Sequence, residues 1–207
     1  MIKAVFFDFD GVLTTDKDAG TSICKSIESM FGIGFGSALI AYRDSNSWDL
    51  CRGKISVDEF WERFYKKLKK FGLDINFKKF KDARKEIYLN TPIDPTMLEL
   101  AQKVRNVGFK IGIITDNNSE RISIIMLNKI GVKFDFILVS DKLNLTKQNL
   151  ELFKMVKNKY GDSVFIDNNE KNCEVATVCG VAGIYFDDVI RDYTSLKQSL
   201  RKKSVNI

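Results

Sequence analysis

Near the start of the chain, an apolar run leads into two aspartates one residue apart: Ala4-Val5-Phe6-Phe7-Asp8-Phe9-Asp10-Gly11. Two acids at the rim of a buried strand are costly unless they are paired or bind a metal. The pair therefore reads as chemistry. A carboxylate can attack phosphorus, but a phosphate dianion repels it, and a divalent cation bridging the two removes the repulsion. In a strand that continues through Phe9, alternation puts Asp8 and Asp10 on one side and turns Phe9 into the core. Asp10 can hand a proton to the leaving oxygen and later activate water. Gly11 lets the backbone turn tightly and approach a ligand.

Three later positions supply what such a reaction needs. Thr115-Asp116-Asn117 offers a hydroxyl and backbone N–H groups for phosphate oxygens. Lys147 offers a fixed positive charge that keeps Asp8 ionised and balances the transition state. Asp167-Asn168-Asn169 offers oxygen ligands for a hard cation. Taken singly, an Asp at a strand end is a common turn former or helix cap, and a lone Lys is usually surface. The ordered set carries the signal. The chain has no histidine, which excludes a Ser-His-Asp triad, a Cys-His pair and a His-ligated zinc site. Catalysis is left to carboxylates, amines, hydroxyls or an oxygen-bound metal.

The elements that must position these residues can be read from periodicity. Five short β-rich runs, Ala4–Phe9, Lys110–Thr115, Phe136–Ser140, Val164–Asp167 and Gly183–Phe186, alternate with helical patterns. The helices are expected over Thr96–Asn106, Ser119–Ile130, Gln148–Lys159, Asn172–Cys179 and Asp192–Lys202. This alternation predicts an α/β fold, a Rossmann-like doubly wound parallel sheet with helices on both faces. Ligands of such sheets bind beyond the carboxyl ends of the strands, where Asp8, Thr115, Lys147 and Asp167 would meet. One stretch breaks the pattern. Residues from about Asp18 to Leu89 read as helical, with Ser56-Val57-Asp58-Glu59 as a capping box. Thr91-Pro92-Ile93-Asp94-Pro95 marks the exit. We expect an inserted α-helical cap over 18–91, with the core formed by 1–17 and 92–207.

Composition bounds the alternatives. The 207 residues are 44% hydrophobic and 29% charged, enough for a core and a solvated surface. No apolar run reaches the roughly 20 residues of a membrane span, and the N-terminal run lacks the pattern of a signal peptide. A cytoplasmic location without membrane contact is expected. Cys24, Cys51, Cys173 and Cys179 form no CxxC pair and read as reduced thiols. Net charge is +6, and the stretch from Arg63 to Lys85 holds ten basic residues against two acidic ones. This stretch reads first as a solvated helix face, with Phe60, Trp61 and Phe64 at core spacing. Nucleic-acid attraction is the weaker alternative.

The run VFFDFDGVL resembles the first motif of the haloacid dehalogenase-like superfamily. Thr115 and its followers resemble the second motif, Lys147 the third, and VFIDNNEKN the acidic fourth. The resemblance covers essentially the whole chain, including the cap after strand one, and is similar to small phosphatases with helical caps. It implies an aspartyl-phosphate on Asp8 and acid/base work by Asp10. It also implies phosphate contacts from Thr115 and Lys147, and Mg2+ at Asp8, the Asp10 backbone carbonyl, Asp167 and Asn168. Dehalogenases of the superfamily lack the acid two residues after the nucleophile, so Asp10 favours phosphate ester chemistry. Three positions depart from the motifs: Asp116 replaces an Asn, Gln148 a Pro, and Asn168 a metal-binding Asp. Either Asp167 carries the metal or affinity is lower. Asp116, Gly11 and Arg52 are further expected substrate contacts, and Arg43, Trp48 and Lys54 are candidate cap contacts. The expected function is hydrolysis of a small phosphorylated metabolite. A phosphomutase and a catalytically weak binding protein are the alternatives.

Overall fold

The computed structural model describes residues 2–207. Five parallel strands form one sheet: β1 (Ala4–Phe7), β2 (Lys110–Thr115), β3 (Phe136–Val139), β4 (Ser163–Asp167) and β5 (Ala182–Tyr185), in the order β3-β2-β1-β4-β5. Alternation within the strands explains the double winding. Val5, Phe7, Ile111, Ile113, Val164 and Ile166 point to one face, and Ala4, Phe6, Ile114 and Phe165 to the other. Both sets are buried, as parallel strands require. Each large apolar side chain so buried contributes about 2–3 kcal/mol relative to exposure.

The first six α-helices after β1 form the insert: α1 (Ala19–Phe31), α2 (Phe35–Arg43), α3 (Ser47–Cys51), α4 (Val57–Lys69), α5 (Phe77–Asp82) and α6 (Arg84–Leu89). They share a core of their own, centred on Phe60, Trp61, Phe64, Phe80 and Tyr88. The Trp61 indole N–H donates to the Tyr88 hydroxyl at 2.8 Å, so the largest buried ring leaves no unpaired donor. Ser56 caps α4 through the Glu59 N–H at 3.1 Å. The Glu59 carboxylate, expected to reach back to the cap, turns instead to Arg63 at 2.5 Å.

The remaining helices cover the sheet. Helices α7 (Pro95–Asn106), α8 (Ser119–Lys129) and α12 (Tyr193–Lys202) lie on the Val5/Phe7 face, and α10 (Leu150–Tyr160) and α11 (Glu170–Val178) on the Phe6 face. A short α9 (Ser140–Leu143), not expected from the sequence, follows β3 directly. Helix α8 begins at Ser119 as expected, capped by Asn118, whereas α11 begins at Glu170 rather than Asn172 and α10 at Leu150 rather than Gln148. In each case a short polar side chain precedes the helix and leaves the first turn to its neighbours.

Two linkers join the helical cap to the sheet domain, and they run side by side. Thr14 bridges Ile93, the Thr15 N–H donates to the Pro92 carbonyl at 3.1 Å, and the Asp94 N–H to Leu13 at 3.0 Å. From α8, the Lys129 ammonium donates to the carbonyls of Leu89 (2.8 Å) and Thr91 (2.6 Å). Cap and sheet domain also touch at Gly53, where an added Cβ would lie 2.5 Å from the Asp141 carbonyl oxygen. Beside it the Ser140 hydroxyl donates to the Cys51 carbonyl at 2.6 Å.

Candidate active site

The sheet reverses its winding between β1 and β4, and the carboxyl ends of these two strands define the site. Strand β1 stops at Phe7, two residues earlier than alternation alone suggested. The Asp8 N–H extends the ladder to Ile166 at 2.8 Å, and its carboxylate then accepts from the Phe9 N–H at 2.7 Å. The chain enters a wide helical turn over Phe9–Leu13, kinked at Asp10 and at Gly11, whose φ is 80°. Asp8 and Asp10 therefore reach the same cavity through a turn rather than through strand alternation.

Lys147 lies in the turn before α10 instead of opening it. Its ammonium sits between two carboxylates, 2.6 Å from Asp8 Oδ2 and 2.8 Å from Asp167 Oδ2. Its own N–H donates to Asp116 Oδ1 at 2.9 Å. All three side chains are almost completely buried. Burial pushes the Asp8 carboxyl well above its usual range; Lys147 opposes this and Asp167 adds to it. The Lys147 ammonium is itself disfavoured by burial, but Asp167 and Asp8 more than offset that and raise its pKa. Two carboxyl groups thus share one ammonium.

Asp167 spends its remaining lone pairs locally, on the Asn169 N–H at 2.7 Å and the Asn172 side-chain amide at 3.1 Å. Asn168 projects beside it, its amide nitrogen 3.3 Å from the Lys17 carbonyl. Gly11 is explained by this neighbour. A Cβ there would lie 2.1 Å from the Asn168 amide nitrogen. The Gly11 N–H is committed to the Thr14 hydroxyl at 3.1 Å, and its carbonyl accepts from Arg191 at 3.1 Å. Gly11 thus makes room for Asn168 and is not placed to bind substrate with its own N–H.

Asp10 has partners that the sequence reading did not supply. Arg121 on α8 grips it through two bonds of 2.8 Å, and the Asn117 amide donates at 2.7 Å. Arg121 is 0% exposed; its guanidinium lies 5.7 Å from the Phe9 ring centroid and also donates to the Thr91 hydroxyl at 3.2 Å. Burial disfavours this cation, and Asp10 more than restores it. One signal could have revealed Arg121: it falls four residues before buried Ile125, on the stripe of α8 that also buries Ile122.

A cavity of about 520 Å³ opens over these groups. Asp8, Asp10, Thr115, Asp116, Lys147, Asp167 and Asn168 all line it, with Trp48 from the cap. Arg52 is not brought there. It lines a neighbouring cavity with Lys54 and stacks on Trp48, 5.6 Å from the ring centroid, because Gly53 pins this cap loop against α9.

No group of three or more His, Cys, Asp or Glu side chains is arranged around one point among the described residues. Asp167 is occupied by Lys147 and amides, whereas Asn168 lines the cavity with Asp8 and its side-chain oxygen accepts no hydrogen bond among the described residues. Magnesium keeps several waters and is commonly held by one or two carboxylates plus substrate oxygens. Asp8 and Asn168, oxygen donors on one cavity wall, fit that pattern with little protein charge.

Fold and site together define an α/β protein with a buried carboxylate–lysine–carboxylate cluster at its sheet edge, under a helical cap. The family model of haloacid dehalogenase-like hydrolases matches residues 2–198, and the chain belongs to that family of enzymes. A comparison with curated proteins finds no match. Among solved structures, a HAD family enzyme from Bacteroides thetaiotaomicron superposes with a TM-score of 0.71 at 21% identity, covering 94% of this chain and 98% of that one. The wild-type form of that enzyme in complex with magnesium and inorganic phosphate gives 0.70 at 20% identity, covering 95% and 99%. The L-2-haloacid dehalogenase of Xanthobacter autotrophicus gives 0.64 at 19% identity, covering 94% and 83%. These likenesses establish the shared fold.

Proposed function

We infer that this protein is a magnesium-dependent phosphatase that hydrolyses a small phosphomonoester through an aspartyl-phosphate on Asp8. The observation that carries the reading is the Lys147 ammonium 2.6 Å from Asp8, with Asp10 on the same cavity wall. Asp8 Oδ attacks phosphorus, the P–O ester bond breaks, and the leaving oxygen takes a proton from Asp10. Asp10 then accepts a proton from water, whose oxygen attacks the phosphorus and frees Asp8 and inorganic phosphate. To act so, the Asp10 carboxyl turns from Arg121 toward the leaving oxygen. Thr115 and Lys147 hold the phosphoryl oxygens. Bound magnesium, held by Asp8, Asn168 and the Asp10 backbone carbonyl, supplies charge neutralisation between nucleophile and phosphate. That the Bacteroides thetaiotaomicron relative is described with magnesium and inorganic phosphate supports this reading.

A second reading is favoured by one feature: Asp10 is engaged by Arg121 and Asn117, and Asn168 is neutral. Displacement of halide from carbon by Asp8 needs neither a proton donor nor a cation, and dehalogenases occur among the structural neighbours. One experiment separates the two. Phosphate release from p-nitrophenyl phosphate and a phosphometabolite panel is measured with and without magnesium, alongside chloride release from 2-chloropropionate. Magnesium-dependent phosphate release, lost by at least about a thousandfold in Asp8→Asn, supports the phosphatase. Chloride release without magnesium replaces it with the dehalogenase. Neither activity from folded protein assigns the fold to binding.

A further inference from the structure

The cavity over Asp8 continues past the reacting groups. A second cavity of about 450 Å³ shares Asp18, Ala19, Trp48 and Asp116 with it and extends into the cap. Its character differs. Beyond the shared Asp18 and Asp116, the second adds Leu39, Tyr42, Gly20 and Cys51 to Ala19 and the Trp48 ring, with Arg43 and Ser47 as its further polar side chains.

Two features of this wall point to a ligand. Trp48 is 57% exposed, while the other tryptophan, Trp61, is fully buried. Although Arg52 stacks on it, Trp48 stays largely open on the cavity wall and forgoes the burial that stabilises its counterpart. Arg43, exposed beside it, has no carboxylate within ion-pair distance among the described residues. A polar cavity of about 560 Å³ holding Arg52 and Lys54 adjoins the Asp8 cavity elsewhere, through Gln148. It offers a hydrated, cationic exit, whereas the Trp48 cavity offers an apolar slot.

We propose that the leaving group of the substrate carries a flat heteroaromatic ring, seated in the slot of Leu39, Tyr42 and Trp48, with Arg43 meeting the acceptor atoms of the ring. This rests on the reading of Asp8 as the group that receives the phosphoryl. A substrate with its phosphate at Lys147 and Thr115 projects its alcohol past Asp116 and Asp18, the wall that both cavities share. The ring then stacks on Trp48 and is covered by apolar side chains, so aromatic esters are selected over aliphatic ones.

The test uses the full-length protein in magnesium-free buffer, with tryptophan emission as the readout. Emission from exposed Trp48 responds to a ring stacked on it, and that from Trp61 does not. The probes are adenosine 5′-monophosphate, adenosine, glycerol 3-phosphate and fructose 1,6-bisphosphate, the last two read by displacement. The proposal expects quenching by both adenosine compounds, and the nucleotide binding at least about tenfold tighter than glycerol 3-phosphate. Trp48→Leu should erase that preference, Trp48→Phe should retain most of it, and Arg43→Gln should weaken both adenosine compounds. Equal affinity for nucleotide and glycerol 3-phosphate would overturn the proposal. So would a preference for the bisphosphate, which would assign the leaving group to the Arg52–Lys54 cavity. The two readings fail separately. Quenching by adenosine in a protein that hydrolyses no ester keeps the ring slot and removes the phosphatase. Turnover of p-nitrophenyl phosphate without any ring preference does the reverse.

Discussion

Lys147 is the residue on which the site depends most. It lies between Asp8 and Asp167, and without it two adjacent buried carboxylates have no counter-charge. Lys147→Met should therefore abolish turnover and cost about 3 kcal/mol of stability at pH 7. Its pH dependence follows from the Asp8 pKa, already raised by burial and lowered by Lys147. Removing the lysine raises it further. A carboxyl with a raised folded pKa loses stability as pH rises through that value, so the deficit of Lys147→Met should shrink on going from pH 7 to pH 5. Urea unfolding at the two pH values checks this. Asn168 makes the opposite case. Asn168→Asp adds a charged oxygen donor beside Asp8, and the magnesium concentration giving half-maximal phosphatase activity should fall about tenfold. An unchanged magnesium dependence would remove Asn168 from the metal site.

At the scale of elements, the turn after β1 is fastened from behind. Asp94 caps α7 through the Met97 N–H at 3.0 Å and binds the guanidinium of Arg191 and the Tyr193 hydroxyl. The same guanidinium donates to the Gly11 and Val12 carbonyls, each at 3.1 Å. Arg191 holds a left-handed backbone conformation, φ 51°, to do so. One cluster thus ties α7, the segment before α12 and the turn after β1 together. Burial raises the Asp94 pKa, but the Tyr193, Met97 and Arg191 bonds outweigh it and hold it below its ordinary value of 3.8. A lowered carboxyl contributes stability above its unfolded pKa and loses it as pH falls through the folded one. Asp94→Asn should cost about 2 kcal/mol between pH 5 and pH 7. The gap to the unsubstituted protein should close below about pH 4, as thermal melts across that range would record.

For the molecule as a whole, half of the ten basic residues between Arg63 and Lys85 pair with nearby carboxylates. Lys81 and Arg84 reach Asp58, Lys66 reaches Glu62, Lys78 reaches Asp82, and Arg84 also reaches Glu120 on α8 at 2.9 Å. These charges serve the cap surface and its junction with the sheet domain. Binding of a labelled DNA duplex at 0.15 M salt should accordingly be weaker than about 10 µM by fluorescence polarisation, and tighter, salt-sensitive binding would contradict this. No helix among the described residues is long and apolar enough to cross a membrane. Periodicity made the five strands, the helices on both faces and the helical insert legible, because strand and helix repeats are local properties of the chain. Asp8, Thr115, Lys147 and Asp167 were legible for a related reason: topology places every strand end of a parallel sheet at one edge. The rest needed three dimensions. Arg121 looks like an ordinary helix residue until α8 docks beside the β1 turn and turns it onto Asp10, 111 positions earlier in the chain. Arg52 lines the cavity beside that of Asp8 rather than the Asp8 cavity itself, in a loop that Gly53 holds close to α9. Sequence determined which groups are present and the edge of the sheet they share; packing between cap and sheet domain decided which of them touch, because only there do contacts across such separations form.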